Sequence, residues 1–145
     1  MDWEKLFKKY LWDESRTPYL TSVADLTKSQ ANFELFAFSL FLGTLFTVVA
    51  IASLTNAPYI GRAQGVSIYA FTIVCGAILL GATRHYLAAL YCATAPIGAL
   101  LYFYVFGFHP NLGAVDHVVI LVVIVIWLRY SLRIISIGKR YSDMP

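Results

Sequence analysis

Residues 32–54 read NFELFAFSLFLGTLFTVVAIASL, and beyond Glu34 this stretch carries no ionisable side chain for twenty positions. At ~1.5 Å of rise per residue, such a run crosses a hydrocarbon core of ~30 Å as a single helix. Lipid supplies no water to bond the backbone, so an isolated span must pair its own N–H and C=O groups by being helical. The stretch therefore predicts an all-α integral membrane protein. Three more apolar runs follow it, over 65–82, 86–108 and 115–135. Together they predict a four-transmembrane-helix bundle over 28–135, preceded by an interfacial segment over 1–27 and followed by a basic tail over 136–145.

Composition agrees. The 145 residues are 59% hydrophobic and 13% charged, with a mean hydropathy of +0.69. Soluble domains average about 45–50% apolar and about 25% charged, which places this chain outside their class. The net charge of +3 does not imply nucleic acid, because the basic residues flank apolar spans, where they act as topology signals. No short apolar core with a cleavage site stands near the start, and Asp2, Glu4, Asp13, Glu14 and Asp25 argue against a transit peptide. None of Asn32, Asn56 and Asn111 begins an N-x-S/T acceptor, which points to a bacterial inner membrane.

The spans have readable punctuation. Thr27-x-x-Gln30 matches a capping box, so the first helix is expected to begin at Lys28 and to end near Thr55-Asn56, before Pro58. Thr83-Arg84-His85 is too short for anything but an antiparallel hairpin between spans two and three. Pro96 and Gly98 near the middle of span three predict a kink, since proline removes a backbone donor. Asp116 falls in the first turn of span four, where the helix dipole favours a carboxylate.

Residues 2–12, DWEKLFKKYLW, bring Trp3, Leu6, Phe7, Tyr10 and Leu11 to one arc, with Lys5, Lys8 and Lys9 opposite. That pattern predicts an amphipathic helix, lying in the membrane interface or on a partner protein. Orientation follows from the cations. Lys5, Lys8, Lys9, Arg16, Lys28, Arg84, Arg129, Arg133, Lys139 and Arg140 all fall on one side, and only Arg62 on the other. Both termini are therefore expected in the cytoplasm, where anionic headgroups would meet them. Trp3, Trp12 and Trp127 fall near that same interface.

Helices in lipid associate where small residues let backbones approach. Span one offers Ser39, Gly43, Thr47 and Ala50; span two offers Ala70, Ala77 and Gly81; span three offers Ala88, Cys92, Ala95 and Ala99. A seam of spans one to three is expected. Span four has no small residue from Val118 to Leu128, so that surface faces lipid or another subunit.

Ionisable groups at membrane depth are the default candidates for chemistry. Glu34, Arg84, Arg129 and Arg133 stand near the basic boundary. A Glu34–Arg129 ion pair would tie span one to span four; otherwise each side chain snorkels to the headgroups. Cys75 and Cys92 can be neighbours across the second hairpin. A four-span quinone-coupled disulfide oxidoreductase is similar in layout, but it needs cysteines in the outer loops, and 55–64 and 109–114 hold none. His109, Asp116 and His117 make a poor metal set, since adjacent helical residues point about 100° apart. A haem wants facing histidines from separate helices. No catalytic, cofactor or metal residue is therefore assigned.

These features predict a non-catalytic accessory or assembly subunit of a larger membrane complex. The alternative is a small homo-oligomeric transporter or channel. Four-span multidrug exporters resemble the chain in length and span number, but they use a deep carboxylate in the first span, and Glu34 is shallow. Reporter fusions at residues 1 and 145 should both give the cytoplasmic signal; an external signal from either overturns the topology.

Overall fold

A computed structural model describes residues 21–55 and 64–145 of the chain. The expected amphipathic segment with Trp3, Phe7, Lys8, Lys9 and Tyr10 lies outside the described residues, as does Arg62. Among the described residues the fold is all-helical. Helix α1 runs Lys28–Leu54, α2 Gln64–Thr83, α3 Tyr86–Cys92, α4 Ala95–Phe106 and α5 Ala114–Arg140. Short 3-10 turns, Val23–Asp25 and Tyr141–Asp143, flank the set. Four helical segments are long and apolar enough to cross a membrane, the third being α3 and α4 together over Tyr86–Phe106.

Local chemistry explains where each helix starts and stops. The Thr27 hydroxyl accepts from the Gln30 N–H at 3.4 Å, while the Gln30 side chain accepts from the Thr27 N–H at 3.0 Å. That reciprocal pair satisfies two otherwise orphaned donors at the N-terminus of α1. At the start of α5 the Asp116 carboxylate accepts from the Gly113 N–H at 2.8 Å. Helix α2 ends on Arg84, whose φ of 57° is left-handed. Only two residues separate α2 from α3, and that conformation turns the chain within them.

Span three breaks earlier than its proline suggests. The helix is interrupted at Ala93-Thr94, and Pro96 stands inside the first turn of α4, where its missing N–H costs nothing. Two tyrosine–threonine pairs stitch this break to α2. The Tyr69 hydroxyl lies 3.0 Å from Thr94 Oγ1, and the Tyr91 hydroxyl donates to Thr72 Oγ1 at 2.7 Å. Each helix thus lends one tyrosine to the other's threonine.

The core is concentrated at one end of the bundle, called here the basic end because Lys28, Arg84, Lys139 and Arg140 gather there. Its centre is Leu35 and Leu42 of α1, Ile73 and Leu80 of α2, and Ile134 and Ile137 of α5, all fully buried. Helices α1 and α2 make the most extensive pair, and α5 closes the bundle against α3, α4 and α1. Towards the far end the packing opens. No residue of 97–106 or of 114–123 is buried.

Small residues set the close approaches, though not all those expected. Ser39 faces Gly81, where an added Cβ would lie 3.3 Å from the serine Cβ. Ala77, Ala88, Cys92 and Ala95 are buried, and Ala99 is partly so. Gly43 differs: a Cβ there meets nothing within 4 Å, so it lies outside the seam. Span four joins the bundle through Gly138, whose added Cβ would lie 3.1 Å from Ala89 Cβ. The stretch without small residues, Val118 to Leu128, stays mostly exposed, with Ile124 its one buried member.

Gly98 carries the tightest demand of the break, because a Cβ there would sit 2.8 Å from Tyr69 Cε1 and 2.9 Å from its hydroxyl. The hydroxyl is held by Thr94 and cannot swing away without losing that bond. Gly98→Ala should therefore cost about 1–3 kcal/mol through overpacking. Gly43→Ala should be neutral or slightly stabilising. Thermal unfolding of the two variants in detergent checks the contrast, and equal midpoints would contradict it.

Candidate functional site

The polar groups at membrane depth converge on two neighbouring side chains of α1, Asn32 and Glu34. Glu34 is only 1% exposed, and a carboxylate so placed must find a cation or be very costly. Its partner is Arg133 of α5, with Nε donating to Oε1 at 2.6 Å and Nη2 donating to Oε2 at 3.2 Å. This fork-on-fork geometry is the strong, directional form of the arginine–carboxylate pair. Nη1 of the same guanidinium donates to the Thr21 carbonyl at 2.6 Å, which ties the segment before α1 to the last span.

The pair expected with Arg129 is therefore made with Arg133 instead. Aromatic contacts show why. Phe38 stacks at a tilt on Tyr130 and Phe41 meets Trp127 edge-on, which sets the antiparallel register of α1 and α5. In that register Glu34 lies level with residues near 135, and Arg129 lies a turn too far along. Arg133, expected at the lipid interface, instead turns inward, and its side chain is 18% exposed. Arg129 and Arg140 remain exposed.

Asn32 forms the second node. Its side-chain carbonyl accepts from Arg84 Nε at 2.7 Å and from the Tyr141 hydroxyl at 2.9 Å. Among the described residues Arg84, an ion-pair candidate by its position, thus joins no carboxylate. Its Nη1 also reaches the Leu80 carbonyl at 3.4 Å, closing the end of its own helix. These bonds hold Arg84 in its left-handed backbone, which costs a non-glycine residue roughly 1–2 kcal/mol. The Lys28 ammonium lies 5.5 Å over the Tyr141 ring, and the Lys28 N–H donates to the Pro145 carbonyl at 2.8 Å. The stretch expected as a free basic tail is instead folded back: α5 continues to Arg140, and Met144 is buried against the bundle.

Other sequence candidates are placed apart. Cys75 is exposed and Cys92 buried. Gly76, not Cys75, faces Cys92, with an added Cβ 3.5 Å from its sulfur. His85 Nδ1 accepts from the Leu87 N–H and His109 Nδ1 from the Asn111 N–H, both as local turn caps. His117 stacks on Phe108 with ring centroids 4.3 Å apart. Among the described residues no group of three or more His, Cys, Asp or Glu side chains can hold a metal.

One feature faces outward. Between α1 and α5 lies an open groove of about 360 Å³, lined by Ala37, Phe38 and Phe41 on one side and by Ile126, Trp127 and Tyr130 on the other. Asn32, Thr21, Tyr141 and the tyrosine–threonine pairs had no signal of their own in the sequence. A polar residue flanking an apolar run reads as a boundary marker until its partners are known. Comparison with family models, curated proteins and solved structures found no match for this chain.

The geometry makes the ion pair asymmetric. Arg133→Leu leaves a carboxylate that cannot reach water, so its cost should approach the upper part of about 3–5 kcal/mol. Glu34→Leu leaves an arginine that is partly exposed and still bonded to Thr21, so it should cost clearly less. The double variant should recover much of the loss, since an apolar pair replaces a desolvated one. A thermal-unfolding double-mutant cycle in detergent measures all three, and additive losses would refute the pairing.

Proposed function

We propose that the chain is a non-catalytic accessory or assembly subunit of a larger membrane protein complex, seated in a bacterial inner membrane with both ends in the cytoplasm. The observation that carries this reading is the commitment of Glu34. A coupling carboxylate must exchange its proton or ion, whereas this one is buried and engaged on both oxygens by Arg133. Arg84 and Asn32 are likewise spent on joining helices. Polar groups used this way stiffen a scaffold. The open far end of spans three and four, with bulky Val118, Val119, Val122 and Val125 exposed, offers van der Waals surface to a neighbouring span. The amphipathic segment with Trp3, Phe7, Tyr10, Lys8 and Lys9 would add an interfacial anchor on the side of the anionic headgroups.

A small homo-oligomeric transporter or channel is the second reading, favoured by the interruption of span three at Ala93-Thr94. Broken helices with hydroxyl groups at the break, as Thr94 and Tyr69 provide, line substrate paths in transporters. Affinity purification from native membranes in mild detergent separates the two. The subunit reading expects one or more defined membrane proteins in fixed ratio with this chain. A homogeneous homo-oligomer, together with liposome flux that Glu34→Gln abolishes, would replace it with the transporter.

A further inference from the structure

Among the described residues Arg129 is the one membrane-depth cation that the fold leaves unspent. It is exposed and has neither an ion-pair nor a hydrogen-bond partner among the described residues. Its depth follows from the helix register. Helix α2, Gln64–Thr83, is ~30 Å long and so spans the hydrocarbon from end to end. Gly81 near its basic end meets Ser39, and Phe38 beside that serine meets Tyr130. Arg129 therefore lies close to the basic boundary but inside it, one turn deeper than Arg133. A charge exposed to lipid at that level is costly unless an anion reaches it. The carboxylates of the described residues supply none. Glu34 is occupied, Asp25 and Asp143 lie beyond the basic end, and Asp116 is at the far end.

The groove between α1 and α5 runs beside this arginine. Ile126, one turn along from Arg129, and Tyr130, its neighbour in sequence, both line it. Its wall is almost wholly apolar and aromatic, with Phe41 and Trp127 at 5.9 Å and Phe38 and Tyr130 at 5.8 Å between ring centroids. It spans about two turns of α5, from Val123 to Tyr130, or ~10 Å of bilayer depth. We propose that this groove binds one anionic phospholipid, with an acyl chain lying along the aromatic wall and the headgroup phosphate paired with Arg129. The apolar wall accepts the chain, and the unpaired guanidinium just inside the basic boundary, within reach of a headgroup phosphate, selects the charge. The inference goes beyond the subunit reading and stands independently of it, since it concerns only the chain and its lipid.

Native mass spectrometry of the purified full chain tests it, with phosphatidylglycerol and phosphatidylcholine of equal chain length as the probes. The expected result is a single retained phosphatidylglycerol per chain, held more tightly than phosphatidylcholine. Arg129→Gln should weaken phosphatidylglycerol retention about fivefold, the equivalent of the ~1 kcal/mol that one arginine contributes near anionic lipid, and leave phosphatidylcholine unchanged. Ala37→Trp, which fills the groove, should weaken both. Lys139→Gln, an exposed cation away from the groove, should change neither. Equal retention of the two lipids, an Arg129→Gln variant that behaves as wild type, or an equal loss in Lys139→Gln would each overturn the site. So would a dimer that Ala37→Trp abolishes and lipid does not compete, for then a second copy fills the groove. Arg129 is on the surface, so its substitution leaves the fold intact whatever becomes of the bulkier variant.

Discussion

A carboxylate removed from water must carry its cation with it, and the Glu34–Arg133 pair meets that demand in this bundle. Glu34 is sealed beneath the first span's surface, and the two oxygens it would otherwise present unsolvated are both taken by one guanidinium. Residues 34 and 133 are far apart in sequence, so the pair closes the bundle from first span to last. It also fixes rotation. A helix turned by one residue would swing either group about 100° out of reach.

Around that pair the basic end is built as a set of ties between pieces of chain distant in sequence. Asn32 accepts from the hairpin turn at Arg84 and from Tyr141 beyond α5. Arg133 reaches both Glu34 and the Thr21 carbonyl. The Lys28 N–H is capped by Pro145. Lipid contributes no hydrophobic drive between helices, so directional bonds and close backbone contact must hold them. Here the bonds gather at one end and the contacts at Ser39–Gly81 and Ala89–Gly138 lie near them. The far end has fewer of both, and it is correspondingly open.

The break in span three is a second, smaller organising feature. Proline alone would have bent the helix; the two tyrosine–threonine pairs turn the bend into a defined joint with α2. Gly76 and Gly98 make room for the rings, since an added Cβ would lie 2.8 Å from Tyr91 and from Tyr69 respectively. Rings and glycines are thus a matched set. The joint also places Tyr69 against Phe46, and Phe46 against Trp127, so an aromatic file crosses the bundle from span two to span four.

Much of the architecture was legible in one dimension, for a physical reason. Hydrocarbon thickness sets the length of an apolar run, and caps such as Thr27-x-x-Gln30 act on neighbours along the same helix. Four spans, the start of α1 at Lys28 and the tight turn at Arg84 follow from such local constraints. Partner choice does not. Arg129 and Arg133 are alike in type, depth and setting as sequence, and only the register imposed by Phe38–Tyr130 and Phe41–Trp127 gives Glu34 to one and leaves the other facing lipid. Gly43 and Gly138 are equally small, yet packing presses one against Ala89 and leaves the other in open space. The number and length of the rods come from the solvent; the rotation and register that create a site come from contacts between distant side chains.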